Sequence, residues 1–186
     1  TFSILISVFF VDLLYAWNKS LFSDPLILEQ EKLTTVYTNW ILQMPDAGAL
    51  LLCLLMNAFI PAFVEEIFFR VGIQQLMMNW VKKHHVAILI SAGFFSFLHF
   101  DPTAFIWRFI LGAALGYLFY WSGSLRLSIL AHFSLNAFTI VSSFITQHHP
   151  ESFWAKMETT TTLGIISLVV SVGALLTCRN LLVRRT

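Results

Sequence analysis

The chain has 186 residues, of which 58% are hydrophobic and only 11% are charged, for a formal net charge of +1. Soluble domains carry about 25% charged residues, so this composition excludes an ordinary soluble globular protein. The few basic residues form no patch interleaved with aromatic side chains, and nothing indicates nucleic acid as a partner. We therefore predict an integral membrane protein.

Taken in chain order, the apolar stretches are most simply read as membrane spans. Most of them are long enough to cross a hydrocarbon core of about 30 Å. They cover residues 1–17, 47–64, 86–100, 103–121, 127–146 and 159–178. The sequence predicts an all-α, polytopic transmembrane helix bundle of about six spans that encloses a polar cavity. We expect a single membrane domain over 1–186, with its motif-bearing core at about 55–142.

The connection between the first two stretches has a pattern of its own. Leu33, Val36, Tyr37 and Trp40 recur at helical spacing opposite a polar face, and the pattern stops before Pro45. This predicts an interfacial amphipathic helix. Two interpretations stay open: a connector that rests on the membrane surface, or a wall or gate of a substrate entrance.

Charge in the connections predicts the orientation, because Lys and Arg collect in short cytoplasmic loops. The basic residues that follow the second, fourth and sixth stretches are Lys82, Lys83, Arg126, Arg179, Arg184 and Arg185. Both termini are therefore expected in the cytoplasm, and we predict a bacterial cytoplasmic membrane protein. The chain opens on Thr1 without a basic segment, so no signal peptide is indicated, and further upstream helices are left open.

Three ionisable residues stand in the second stretch, within the sequence FVEEIFFR. A charge inside a membrane is costly and persists mainly in a protein interior or a wet cavity, which points to function. If residues 47 to 80 form one helix, Glu66 and Arg70 are four apart and can pair. Glu65 is rotated by about 100° from Glu66 and stays free. A free carboxylate in such a place is a candidate general base.

Two further polar groups occur in apolar stretches. His99 follows Phe95 by one helical turn in FSFLHF, and His132 and Asn136 are four apart in AHFSLN. Such groups are costly to bury without partners. Together with the first motif, these residues could form one site. It would contain a general base, a second group that binds the water, and hydrogen-bond donors for an oxyanion.

The three motifs EEIFFR, FSFLH and HFSLN, in this order, resemble the E-E-x-x-x-R, F-x-x-x-H and H-x-x-x-N motifs of the CPBP intramembrane protease family. That family includes the type II CAAX prenyl endopeptidases and bacteriocin-processing or immunity proteins. The resemblance implies an intramembrane endopeptidase acting on a membrane-associated or lipidated peptide or protein.

The resemblance also implies a role for each motif residue. Glu65 and His99 would position and activate the attacking water, while His132 and Asn136 would stabilise the tetrahedral oxyanion. The paired acid and base of the first motif would hold the site together. One departure is visible, because Val71 stands where family members commonly have glycine.

Metal dependence stays open at this stage. Glu65, His99 and His132 are the three residues that would serve as ligands of a catalytic zinc with an open position. No H-E-x-x-H motif is present, however. The resemblance to the prenyl endopeptidases favours a glutamate-activated water without metal, so no cofactor is favoured.

Depth in the membrane raises a difficulty for this site. If every helix crossed fully, His99 and His132 would lie at different levels and would not meet. The Asp101–Pro102 break suggests that the third helix ends inside the protein, where irregular backbone can line a cavity. We also expect Arg108 to snorkel, to pair with Asp101 or to bind a substrate carboxylate, with the structural roles favoured.

Two other functions are compatible with the sequence. A proton-coupled transporter would use the glutamates and histidines as a relay. A non-catalytic scaffold or immunity protein would keep the polar residues for folding. The sequence does not indicate the substrate, a requirement for prenylation or the oligomeric state.

Overall fold

The structure, a computed structural model, describes residues 8–152, 173, 176–177 and 179–180. Within 8–152 the chain forms six helices joined by short connections and contains no strand, which confirms the all-α prediction. The helices are α1 (Val8–Ser20), α2 (Pro25–Ile41), α3 (Ala47–Val81), α4 (His84–Phe97), α5 (Phe105–Ser122) and α6 (Leu125–His148). A short 3₁₀ turn, Pro102–Ala104, precedes α5. Whether 1–186 is one domain remains a prediction.

Three helices of the described region are long and apolar enough to cross a membrane: α3, α6, and α5 together with its preceding turn. This is fewer than the six spans predicted. Of the stretch 1–17, residues 8–17 are described and belong to α1, whereas the stretch 159–178 lies largely outside the described residues. The prediction of a membrane span over 86–100 is wrong, because the helix in this place, α4, has only 14 residues and is about 21 Å long.

Helix α4 stops early for a local reason. Asp101 has extended backbone angles, as expected for a residue before proline, and Phe100 has a positive φ of 51°. The Asp101 side chain then accepts hydrogen bonds from the backbone N–H and the hydroxyl of Thr103, which begins the next turn. His99 is therefore held just beyond the end of a short helix.

Helix α3 is continuous over 35 residues, as the pairing argument required. Asp46 caps its start by accepting from the backbone N–H of Ala49. The helix contains two π-helical segments, Leu55–Phe59 and Ile67–Gln74, on either side of Ile60–Glu66. Such wide turns often occur at functional sites. The adjacent glutamates lie at the end of the α-helical piece between them.

The structure confirms a helix in this connection, α2, which begins at Pro25 and ends at Ile41 rather than at Pro45, while its interfacial position stays a prediction. None of its residues is buried, and Trp40 is 67% exposed. Contacts between side chains tie it to α1, because Glu31 accepts from the Tyr15 hydroxyl at 2.7 Å and pairs with Lys19 at 2.9 Å.

Small residues bring α5 close to α3 and α4. A Cβ added at Gly112 would lie 3.1 Å from the Phe95 ring. One added at Gly116 would lie 2.9 Å from Gln74 Oε1, 3.0 Å from Ile88 Cγ2 and 3.2 Å from Arg70 Nη1. The two glycines therefore allow α5 to pack closely against α3 and α4.

We expect Gly116→Ala to lower the free energy of unfolding by about 1–3 kcal/mol, because the new methyl group overpacks a buried contact. Gly93→Ala is the matched control: no atom lies within 4 Å of its added Cβ. That control should be neutral or stabilising by up to about 1 kcal/mol, since alanine favours a helix. Thermal unfolding of both variants in detergent micelles measures the difference, and equal melting temperatures would contradict the packing role.

Candidate active site

Glu66 is fully hydrogen-bonded in the interior. Arg70 Nε donates to its Oε2 at 2.8 Å and Arg70 Nη2 to its Oε1 at 3.3 Å, and both side chains have no exposed surface. The hydroxyl of Ser128 donates to Oε2, and His132 Nδ1 lies 3.2 Å from Oε1. A carboxylate only accepts, so Nδ1 carries a proton there. The predicted pair of Glu66 and Arg70 is confirmed. The contacts of Glu66 with Ser128 and His132 join α3 to α6.

The network continues beyond the motif residues. Arg70 Nη1 donates to Gln74 Oε1 at 3.5 Å, and Gln74 Nε2 donates to the carbonyl of Gly116 at 3.1 Å. The Arg70 guanidinium also lies 5.9 Å from the centre of the Phe95 ring. Sequence reasoning missed Gln74 and Ser128. Their signal was spacing: Gln74 follows Arg70 by four residues, and Ser128 precedes His132 by four.

Glu65 differs from its neighbour in having a carboxylate oxygen without a partner. Its Oε2 is buried and accepts no hydrogen bond from the described part of the chain, although the side chain as a whole is 28% exposed. Across from it, His132 Nε2 lies 4.0 Å from Oε2. That distance is beyond a direct hydrogen bond, so both atoms remain available to one water or substrate oxygen.

His99 is oriented by the backbone. Its Nδ1 donates to the carbonyl of Phe95 at 2.7 Å, so a neutral ring presents Nε2 as an acceptor. The Phe95 ring contacts both histidines, with ring centres 5.0 Å from His99 and 5.9 Å from His132. Because α4 ends early, the rings of His99 and His132 both contact Phe95. The two histidines therefore do not lie at separate levels, as they would if every helix crossed the membrane fully.

A cavity of about 900 Å³ joins these groups. The motif residues that line it are Glu65, Phe95, His99, His132 and Asn136. Helix α2 contributes to the opposite side with polar residues that include Thr34, Thr38 and Asn39. The geometry therefore makes α2 a wall of the cavity. Arg108, also in the lining, donates to Asp101 at 3.0 Å, which is the structural pairing expected for it.

The residues considered as zinc ligands do not fit a metal site. In 8–152 and the few described residues beyond, no three His, Cys, Asp or Glu side chains are grouped so that they could hold a metal ion. Glu65, His99 and His132 line one cavity without forming such a group. We derive no chemical step through a metal.

Comparison with known proteins agrees with this geometry. Residues 47–138 match the family model described as type II CAAX prenyl endopeptidase Rce1-like. The matched segment contains all three motifs and confirms the resemblance drawn from them. No match was found among curated proteins or among solved structures. With its apolar spanning helices, the chain is an integral membrane protein that carries an Rce1-like, CAAX-type peptidase domain over residues 47–138.

Proposed function

We propose that the protein is an intramembrane endopeptidase that hydrolyses a peptide bond with a water activated by Glu65. One observation carries the proposal. Of two adjacent glutamates, Glu66 has hydrogen-bond partners on both oxygens, whereas Glu65 lines the cavity and keeps one oxygen without a partner among the described residues. A structural acid needs partners and a general base needs a free oxygen, so the two residues divide these tasks.

In the proposed reaction, the water oxygen forms a bond to the carbonyl carbon of the substrate as its proton passes to Glu65. The carbon–nitrogen bond then breaks, and Glu65 returns the proton to the leaving amine. Because the Nδ1 proton of His99 is held by the Phe95 carbonyl, its Nε2 accepts the second hydrogen of the water and orients it. Proton transfer by a positioned carboxylate typically contributes about 10²- to 10⁴-fold.

The tetrahedral oxyanion requires hydrogen-bond donors. The two candidate donors, Asn136 and His132, differ in whether they can donate in every protonation state. Asn136 can donate from its amide in any protonation state. His132 already uses its Nδ1 proton in the hydrogen bond to Glu66, so its Nε2 donates only when the ring is an imidazolium. Glu66 and Arg70 act through His132 and are positioning residues. The donor role of His132 thus depends on its protonation state, and that of Asn136 does not.

A first experiment tests the reaction and its metal requirement together. The purified protein in lipid nanodiscs is incubated with a fluorogenic library of membrane peptides, with and without a strong chelator. We expect cleavage that survives the chelator and falls by at least about 10²-fold in His99→Ala and in Asn136→Ala. Loss of cleavage on chelation, restored by zinc, would contradict the metal-free mechanism.

The same preparation tests the main alternative. Proton flux is measured after reconstitution in liposomes with an internal pH indicator. We expect no flux above that of empty liposomes. Folded wild-type protein that conducts protons and cleaves no peptide in the library would overturn the peptidase proposal in favour of transport.

A further inference from the structure

Two smaller cavities meet the main one at different places. A cavity of about 530 Å³ shares Asn39, Leu42 and Thr139 with it. A cavity of about 290 Å³ shares Glu65 and His99 with it. Both smaller cavities therefore lie beside the main one, and Glu65 and His99 line both the 290 Å³ cavity and the main cavity.

The surface of the 530 Å³ cavity is largely apolar, but hydroxyl and amide side chains line it along α6, and we call it the hydroxyl trench. Its α6 lining is Phe138, Thr139, Ser142, Ser143, Thr146 and Gln147. Thr139 and Ser142 donate their hydroxyl protons to carbonyls of their own helix, which leaves their oxygens as acceptors. Gln147 Oε1 accepts from the backbone N–H of Met44, which leaves its amide protons as donors.

The trench has the length of a short peptide. From Thr139 to Gln147 the helix rises by about 12 Å. An extended polypeptide advances about 3.3 Å per residue, so three or four residues fit along it. Their backbone N–H and C=O groups need partners when they leave water, and the trench offers both acceptors and donors.

The 290 Å³ cavity has fewer polar side chains in its lining, and we call it the apolar slot. Apart from Glu65 and His99, its lining consists of Val64, Phe68, Phe69 and Leu98. Val64 is 55% exposed and Phe68 50% exposed on the outer surface of α3, so the slot lies next to a surface that a membrane would cover. A polar group placed there would lose its hydrogen bonds to water without compensation.

Resting on the proposed function, we propose that the substrate is a polypeptide cut at the boundary between an apolar and a polar segment. The apolar residues beside the scissile bond occupy the slot. The three or four polar residues on the other side extend along the hydroxyl trench. The carbonyl that reacts lies between the two, at Glu65 and His99, where the slot joins the main cavity.

The kinetic test uses three peptides with identical residues at the scissile bond: one with an apolar and a polar flank, one apolar on both sides and one polar on both sides. We expect the mixed peptide to be preferred at least about tenfold in kcat/KM. Ser143→Trp should fill the trench and raise KM for the mixed peptide, with little effect when its polar flank is cut to one residue. Ser134→Trp, on α6 but outside the three cavities, is the control.

A binding test separates this inference from the reaction itself. The mixed peptide, with a photoreactive residue at the third polar position, is crosslinked to the Glu65→Gln variant and the product is mapped by mass spectrometry. Crosslinks on 139–147 support the trench, even if the wild type cleaves no peptide and the peptidase proposal fails. Crosslinks elsewhere, or equal cleavage of all three peptides, would overturn the boundary proposal while leaving the peptidase proposal intact.

Discussion

Glu65→Gln is expected to lower kcat by about 10²- to 10⁴-fold with little change in KM, because the amide cannot take a proton from water. The substitution keeps the size of the side chain. Since Glu65 Oε2 has no hydrogen bond from the described residues, the fold should lose nothing and the melting temperature should stay unchanged. Initial rates on a peptide selected from the library, together with thermal unfolding, measure both quantities.

The neighbouring glutamate provides the sharpest comparison. Glu66→Gln places an amide among four donor contacts from Arg70, Ser128 and His132, so it should lower the melting temperature as well as the rate. Glu29→Gln, on the exposed surface of α2, should change neither. If Glu65→Gln retained wild-type kcat, the water would have to be activated by another group, and the division of tasks between the two glutamates would be wrong.

Local spacing was sufficient to predict the central part of the site. The i, i+4 relation places Glu66 against Arg70 and turns Glu65 away, and the structure shows both features. These predictions succeeded because they depend on neighbours within one helix, and the π-helical segment Ile67–Gln74 still leaves Arg70 within reach of Glu66. The same rule would have found Gln74, four residues after Arg70.

Features that depend on contacts between distant segments could not be predicted in this way. Hydropathy marked 86–100 as a span, whereas the Asp101–Pro102 break correctly indicated an earlier end, and α4 does end at Phe97. Sequence alone gave no indication that Glu66 would bond to Ser128 and His132, which lie more than 60 residues later. The structural role of Glu66 therefore required the packing of α6 against α3.

The buried ion pair should dominate the stability of this region. Arg70→Met leaves the Glu66 carboxylate inside the bundle without its charged partner, and we expect the free energy of unfolding to fall by about 3–5 kcal/mol. Arg126→Met is the matched control, because Arg126 is exposed at the start of α6 and such changes usually stay within about 0.5 kcal/mol. Unfolding equilibria in mixed micelles, followed by circular dichroism, compare the two variants.

The double variant Arg70→Met with Glu66→Gln shows whether the loss comes from the uncompensated charge. Removing both charges leaves a neutral amide at position 66 that can still bond to Ser128 and His132, so the double variant should be more stable than Arg70→Met alone. A double variant no more stable than the single one would place the cost in lost packing around Phe95 and Gln74 instead. Peptidase activity should stay low in the double variant even when stability returns, because His132 then lacks the carboxylate that holds its ring.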